Sequence, residues 1–296
     1  MTSSHPRTAS GPMLWSFVLL VPCLIGVYTI ASMAAERRSL GLSITAPWVP
    51  TLCFVGGTAL LLIEGSICIA MALPVFLALA SLGGLLAHAY TRVASPKQGT
   101  LNALLALPLL AGPVEAQLPL QDELARSAAS IHIAATPEVV WGYINHAVQI
   151  QPAEMRGGLA YLIGLPYPQE AITQATASGG HVRKLRWDKH VAFDEPITDW
   201  EPQRYIRWTY DFKPDAFPPG ALDEHVLIGG RYFDLQDTSY RLTPEAGGMR
   251  LDIEVHYRVS THFNWYATRV GQLLVDDAAQ AILRFYKHRS ETTGSS

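Results

Sequence analysis

Residues 1–116 predict a helical membrane region of three to four spans, and residues 127–291 predict an α+β domain in which a curved antiparallel sheet wraps one long C-terminal helix. Three observations predict this. Trp48–Tyr90 runs 43 residues with Glu64 as its one formal charge. From Ile172 to Ser260, runs of alternating apolar and polar residues recur about every ten positions, separated by Gly, Pro and Asp. From Phe263 to Arg289 the period changes to that of a helix.

Met13–Met33 comes first, apolar for 21 residues with Pro22 inside it. It exceeds the core of a signal peptide and more apolar segments come after it, so it reads as a retained span of residues 13–33. A hydrocarbon core about 30 Å thick needs roughly 20 apolar residues per helix. Trp48–Tyr90 is therefore long enough for two passes, and Glu64-Gly65-Ser66 divides it into spans of residues 48–64 and 67–90. A fourth piece, Leu101–Ala116, holds Asn102, Pro108 and Pro113. Arg37/Arg38 and Arg92/Lys97 flank the two-pass run, which places both loops in the cytoplasm and the N-terminus outside. If residues 101–116 span, the second half of the chain is extracytoplasmic, and this is the expectation. If they lie in the interface, it is cytoplasmic. The expected setting is the inner cell membrane, with membrane lipids as neighbours.

Glu64 has two readings. Ionisable groups inside membranes default to function, in this case contact with a proton, an ion or a lipid headgroup. Beside Gly65-Ser66 it also reads as a turn residue at the membrane surface, and that reading is preferred. No internal repeat suggests a transporter.

Residues 117–126 read as a polar linker and 292–296 as a disordered tail. Ser127–Ala134 reads as a strand. Thr136 stands where it can cap a helix with Pro137 at its first position, burying Val140, Trp141 and Ile144. Strands are expected at His181–Trp187, His190–Trp200, Gln203–Phe212, Arg231–Thr243 and Met249–Ser260. The last is the cleanest, with Leu251, Ile253, Val255, Tyr257 and Val259 against Arg250, Asp252, Glu254, His256 and Arg258. Tyr266, Val270, Leu273, Leu274, Ala278, Ile282 and Phe285 form the stripe of the terminal helix. An antiparallel meander on one amphipathic helix is an α+β solution that leaves a cavity between the two.

Charge divides with the architecture. Residues 1–116 carry five basic and three acidic side chains, and residues 117–296 carry 17 and 22. An acidic domain without clustered Lys and Arg excludes a nucleic-acid partner. Cys23, Cys53 and Cys68 all lie in apolar segments, so the second half has no disulfide framework and no thiolate metal site. The sequence holds no P-loop, G-x-S-x-G, H-E-x-x-H or C-x-x-C, and no cofactor is expected. His256 and His262 match no metal-ligand spacing, and no metal is expected.

The stretch Ile133-Ala134-Ala135-Thr136-Pro137-Glu138-Val139-Val140-Trp141 resembles the opening I-x-A-x-P-x-x-V-W of the START-like helix-grip superfamily, also called SRPBCC or polyketide cyclase/dehydrase-like. Gly179-Gly180-x-x-Arg183, Phe193-x-Glu195-Pro196-Ile197-x-x-Trp200-Glu201-Pro202, Tyr240-Arg241-Leu242 and Gly247-Gly248-Met249-Arg250-Leu251 look like its later strands. Asn264-Trp265-Tyr266 looks like the approach to its grip helix. The resemblance covers residues 127–291 in order. Glu64-Gly65-x-Ile67-Cys68-x-x-Met71-Ala72-x-Pro74 looks like the membrane part of membrane-bound bacterial relatives. The resemblance implies a cavity for a hydrophobic or amphipathic small molecule. It does not imply catalysis, since fold alone cannot choose among binders, carriers, regulators and cyclases.

Strand faces supply the candidate residues. Arg183 shares a face with Leu185 and Trp187; it could hold a ligand carboxylate or phosphate, or pair with Asp194 or Glu195, and the pair is preferred. Glu195, on the Val191/Phe193/Ile197 face, could act as acid or base if buried; an Arg-paired structural role is preferred. Trp208, Tyr240, Tyr257, Tyr266 and Val270 complete the expected cavity lining. Asp276 and Asp277 read as a solvated helix edge. Asp211–Gly230 is the longest irregular segment, a cover for the cavity, a bilayer contact or a packed surface crossing. The leading expectation is a membrane-anchored domain that binds a lipid-like molecule. The alternatives are a cyclase or aromatase using Glu195, and a ligand-responsive membrane regulator.

Overall fold

The computed structural model describes residues 14–61, 65–94, 98–155 and 157–293. Among these, residues 14–121 with 261–263 form one compact unit and residues 122–260 with 264–293 form another.

In the first unit a π-helical turn, Ser16–Leu20, leads into α1 (Val21–Ala31). Past its end, Arg38 donates from Nη2 to the Ala31 carbonyl at 3.0 Å and from Nε to the Met33 carbonyl at 2.9 Å. A cation thus satisfies carbonyls left open at the helix terminus. α2 (Leu40–Thr45) starts on Ser39, whose hydroxyl accepts the Leu42 N–H. Next come α3 (Trp48–Leu60), α4 (Ser66–Thr91), α5 (Gln98–Leu104) and α6 (Leu107–Glu115). α4 packs backbone to backbone on its neighbours. A Cβ added at Gly26 would strike the Ala80 carbonyl, one at Gly83 the Cys23 carbonyl, and one at Gly84 the Ser43 carbonyl. Small residues allow this close approach where apolar helices pack on each other.

The expectation of three to four spans is corrected. Among the described residues, two helices are long and apolar enough to cross a membrane, Leu40–Leu60 with 21 residues and Ser66–Thr91 with 26. The apolar helices Ser16–Ala31 and Gly99–Glu115 are shorter, in the range of 10–17 residues. The span expected at residues 13–33 stops being helical after Ala31, where Arg38 caps it. The piece expected at residues 101–116 breaks between α5 and α6, with Pro108 in the first turn of α6, a position proline favours. Glu64 lies outside the described residues.

The second unit runs β1 (Gln121–Ile133), α7 (Pro137–Asn145), β2 (His146–Ala147), α8 (Leu159–Leu162), β3 (Pro168–Ala175), β4 (His181–Trp187), β5 (Ala192–Glu201), β6 (Tyr205–Thr209), β7 (Phe233–Glu245), β8 (Gly248–Thr261) and α9 (Asn264–Thr293). The strands form one curled sheet in the order β1-β8-β7-β6-β5-β4-β3-β2. β2 to β8 are an antiparallel meander. Register shifts at Ile197/Asp199 and Leu235/Asp237 add local twist, which helps the sheet curl. In β8, Leu251, Ile253, Val255, Tyr257 and Val259 are buried while Asp252, Glu254, His256 and Arg258 are half-buried, the alternation of a sheet with one wet face.

Several expectations for this half change. β1 begins at Gln121, inside the stretch that reads as linker, because β8 beside it is 14 residues long and offers backbone partners that far. Thr136 stands at the N-cap of α7 with extended backbone, but its side chain makes no capping hydrogen bond. α9 continues through Thr292 and Thr293, where the sequence suggests a tail. The buried face of α9 is Ala279, Leu283, Tyr286 and Ser290, with Ala281 and Phe285 also buried, whereas Leu273 is 56 % exposed. Asp276 and Asp277 are not a solvated edge: the first accepts from the Ser127 hydroxyl and the second from the Ala160 N–H.

Candidate functional site

β4 and β5 set the site. Their register places Arg183 directly across from Glu195 and Leu185 across from Phe193, all four facing inward. Arg183 is 4 % exposed and Glu195 3 %. Arg183 Nη1 donates to Glu195 Oε2 at 2.9 Å, and Nη2 donates to the Tyr286 hydroxyl on α9 at 2.8 Å. The guanidinium carbon sits 5.0 Å from the Trp208 ring centroid and 6.0 Å from that of Tyr240. Trp208 meets Tyr240 edge-on at 5.0 Å, and Tyr240 meets Tyr286 edge-on at 5.7 Å. A buried cation is thus walled by three aromatic rings and one carboxylate.

Two donors in this cluster remain unspent. Arg183 Nε–H and Trp208 Nε1–H have no hydrogen-bond partner among the described residues. The Trp208 indole is near enough to Glu195 to favour its charge, but not in hydrogen-bond geometry. Leaving a buried donor unsatisfied costs about 1–3 kcal/mol. Next to them lies an apolar wall: Phe193 contacts Trp187 at 5.1 Å, Phe212 at 5.2 Å and Phe217 at 6.2 Å. Phe212 and Phe217 belong to the irregular segment 211–230, which therefore lays aromatic rings on the inner side of β5.

Burial pushes the Glu195 carboxyl up to about 7, against the pull of Arg183. Burial also opposes the Arg183 charge, but the Tyr286 and Glu195 oxygens facing it outweigh burial and its pKa is raised. Burial raises the phenols of Tyr210 and Tyr240. The cluster therefore offers a fixed cation, a carboxyl that exchanges its proton near neutrality, and two N–H donors beside an aromatic surface. That set can hold the acceptor group of an otherwise apolar molecule.

The structure brings Arg183, Glu195, Trp208 and Tyr240 together. It sets the other expected lining residues elsewhere. The Tyr257 ring packs on α9 at Gly271 and lies 5.6 Å from Phe233. Gly271 and Tyr286 are about 22 Å apart along the helix axis at 1.5 Å per residue. Tyr266 and Val270 lie in the first turns of α9, half-buried. Tyr257 has its own unspent group: its hydroxyl is buried without a partner among the described residues, and burial pushes it up to about 12. Asp194, the other acid considered for Arg183, instead pairs with Lys184 at 3.5 Å and Lys213 at 3.1 Å on the surface. Sequence reasoning misses Tyr286. Its signal is its spacing of three and seven residues after Leu283 and Ala279, the face that α9 buries.

No family model matches the chain, and no curated protein matches it. Among solved structures, the Zhui aromatase/cyclase from Streptomyces sp. R1128 aligns at 12 % identity over 57 % of this chain and 94 % of its own, with a TM-score of 0.33. The di-domain ARO/CYC BexL from the BE-7585A biosynthetic pathway aligns at 14 % identity over 66 % of this chain and 58 % of its own, with a TM-score of 0.35. An uncharacterized protein from Rhizobium leguminosarum aligns at 14 % identity over 58 % of this chain and 99 % of its own, with a TM-score of 0.33. At these scores the likeness carries no argument about what this chain binds or does.

Proposed function

We propose that the sheet-and-helix unit binds one amphipathic, lipid-like molecule between the sheet and α9, and that the helical unit holds the chain at a membrane. The observation that carries the reading is the pair of unspent donors, Arg183 Nε–H and Trp208 Nε1–H, buried beside the Phe193, Phe212 and Phe217 rings. Buried polar groups are almost always partnered. An acceptor oxygen on a molecule whose remainder is apolar would supply the missing partner.

The test is a mass spectrum of what the full chain carries through purification, for the native protein, Arg183→Met and Trp208→Phe. The native chain is expected to retain one stoichiometric species. Losing a hydrogen bond to a charged group costs about 1.5–3 kcal/mol, so retention falls roughly tenfold to a hundredfold in Arg183→Met. Trp208→Phe keeps the ring and drops one donor, with a smaller loss. A native extract that matches bulk lipid, unchanged in both variants, sinks the reading.

A second reading rests on Glu195, whose carboxyl at about 7 is placed to give and take a proton at neutral pH. If the domain is a cyclase-type enzyme, Glu195→Gln abolishes turnover and leaves retention of the bound species intact.

With only α2–α3 and α4 of spanning length among the described residues, Arg37/Arg38 and Arg92 fall on the same side, and the positive-inside rule makes that side cytoplasmic. In this reading the sheet-and-helix unit, which comes after α4 with no further helix of spanning length among the described residues, lies in the cytoplasm rather than outside. A C-terminal reporter active only outside the cytoplasm would refute this placement.

A further inference from the structure

β4 carries a further unspent donor. The Trp187 indole Nε1–H is buried and has no hydrogen-bond partner among the described residues, as with Arg183 Nε–H and Trp208 Nε1–H. Arg183, Leu185 and Trp187 alternate onto one face of the strand. Trp187 therefore stands four residues beyond Arg183, about 13 Å along the sheet at roughly 3.3 Å per residue. We propose that the molecule bound in the sheet-and-helix unit carries a second acceptor oxygen, uncharged and about 13 Å from the one held at Arg183, and that Trp187 Nε1–H donates to it. The proposal rests on the reading that this interior holds a lipid-like molecule, and it adds that the molecule is polar at both ends.

Three observations carry it. First, the two donor positions are joined by apolar surface. Leu185 lies between them on β4, Phe193 lies across from Leu185 on β5, and both are buried. Phe193 meets Trp187 edge-on at 5.1 Å, so the aromatic wall beside Arg183 reaches Trp187 without a break. A molecule lying along this wall has an apolar middle and meets a donor at each end. Second, Trp187 is held in place. Its backbone N–H donates to the Val191 carbonyl at 2.8 Å and closes the β4–β5 hairpin. In the turn, Lys189 and His190 sit at φ of 53° and 62°. Such strain at non-glycine residues persists where the surroundings enforce it, and it clusters where ligands are clamped. Third, the charges that follow Trp187 are spent on backbone. Lys189 Nζ donates to the Gly164 and Ala221 carbonyls at 2.9 and 3.2 Å, and Asp188 Oδ1 accepts the Tyr167 N–H at 2.8 Å. The indole itself is a neutral donor with one hydrogen. It therefore suits an ester, ketone or ether oxygen and not a carboxylate, which Arg183 suits better.

The test compares two esters of equal length on the full chain in detergent. Dimethyl sebacate carries an ester at each end, close to the required spacing, and methyl laurate carries one. Equilibrium dialysis of the radiolabelled esters gives their affinities for the native chain, Trp187→Phe and Arg183→Met. Ratios between proteins are read, so partition into detergent cancels. Trp187→Phe is expected to weaken dimethyl sebacate roughly fivefold to tenfold, the worth of one neutral hydrogen bond, and to leave methyl laurate unchanged. Arg183→Met is expected to weaken both. The native chain gives an independent reading that needs no variant. Its Trp187 indole N–H resonance, assigned through contacts with Phe193, should move downfield with dimethyl sebacate and stay in place with methyl laurate. Equal effects of Trp187→Phe on the two esters, or a resonance that responds to both alike, overturn the proposal and leave water as the partner of Trp187. If Arg183→Met still weakens both esters in that case, the one-headed reading of the interior survives. A native chain that binds neither ester overturns that reading and this proposal with it.

Discussion

Replacing Glu195 with glutamine tests the electrostatics of the interior. The carboxyl has an ordinary value of 4.5 and is pushed up to about 7 in the folded protein by burial. A raised folded-state pKa means that the folded chain binds the proton more tightly than the unfolded one. The associated stability is fully present below about pH 4.5 and is lost as pH rises through 7. At 1.36 kcal/mol per pH unit, the loss across that window is about 3 kcal/mol. Glutamine cannot ionise and keeps an oxygen for Arg183 Nη1. Glu195→Gln should therefore match the native chain near pH 4.5 and exceed it by about 3 kcal/mol at pH 8. For a domain of this size that is roughly 6–12 °C in Tm. The assay is urea unfolding of both full chains, followed by tryptophan fluorescence from pH 4.5 to 8. Their difference isolates residue 195 from every other titrating group. A variant weaker than the native chain by about 3–5 kcal/mol at pH 8, the cost of breaking a net favourable buried pair, would show that Arg183 and not burial governs the carboxyl.

Tyr286→Phe removes the hydroxyl that accepts from Arg183 Nη2 and should cost about 1.5–3 kcal/mol in the same unfolding assay; no change would show that the hydrogen bond is absent in solution. Tyr257→Phe removes a buried hydroxyl that has no partner among the described residues and should leave stability equal or raise it by about 1 kcal/mol. A clear loss would mean that the hydroxyl has a partner in solution. Gly83→Leu drives a side chain into the Cys23 carbonyl and should destabilise the helical unit by about 1–3 kcal/mol or more, read as a lower detergent-melting temperature; an unchanged melt would refute the close packing of α1 on α4.

Much of the sheet is legible in the sequence because its residues obey one rule at a time. β8 alternates without exception from Leu251 to Val259, and the glycine pairs 179–180 and 247–248 mark turns on either side of strands. β2 is not legible, since two residues show no period. β3 is legible only in part because it mixes buried and half-buried positions out of alternation. The buried face of α9 includes Ala279, Ala281 and Ser290, residues that a hydrophobic stripe undervalues, so the stripe falls through Ile282 and Leu273 instead. The pairing of Arg183 with Glu195 can be read from strand neighbours. Tyr286 cannot, because its contact with Arg183 joins residues 103 positions apart. Apolar composition overstates the number of spans, because helix length also depends on where Arg38 and Pro108 interrupt the run.

The adjacent acids of α9 have a mechanical consequence. Asp276 reaches Ser127 on β1, while Asp277 reaches the Ala160 N–H at the start of α8. A rod pinned at one point can still roll about its axis. Pinned within one turn to two different elements, it can neither roll nor slide without breaking a hydrogen bond. The helix thus behaves as a fixed crossbar. The segment at residues 211–230, which carries Phe212 and Phe217 inward and turns on Gly220 and Gly229, both at positive φ, is tied instead to the β4–β5 side of the sheet, where the Ala216 carbonyl accepts the Ala192 N–H.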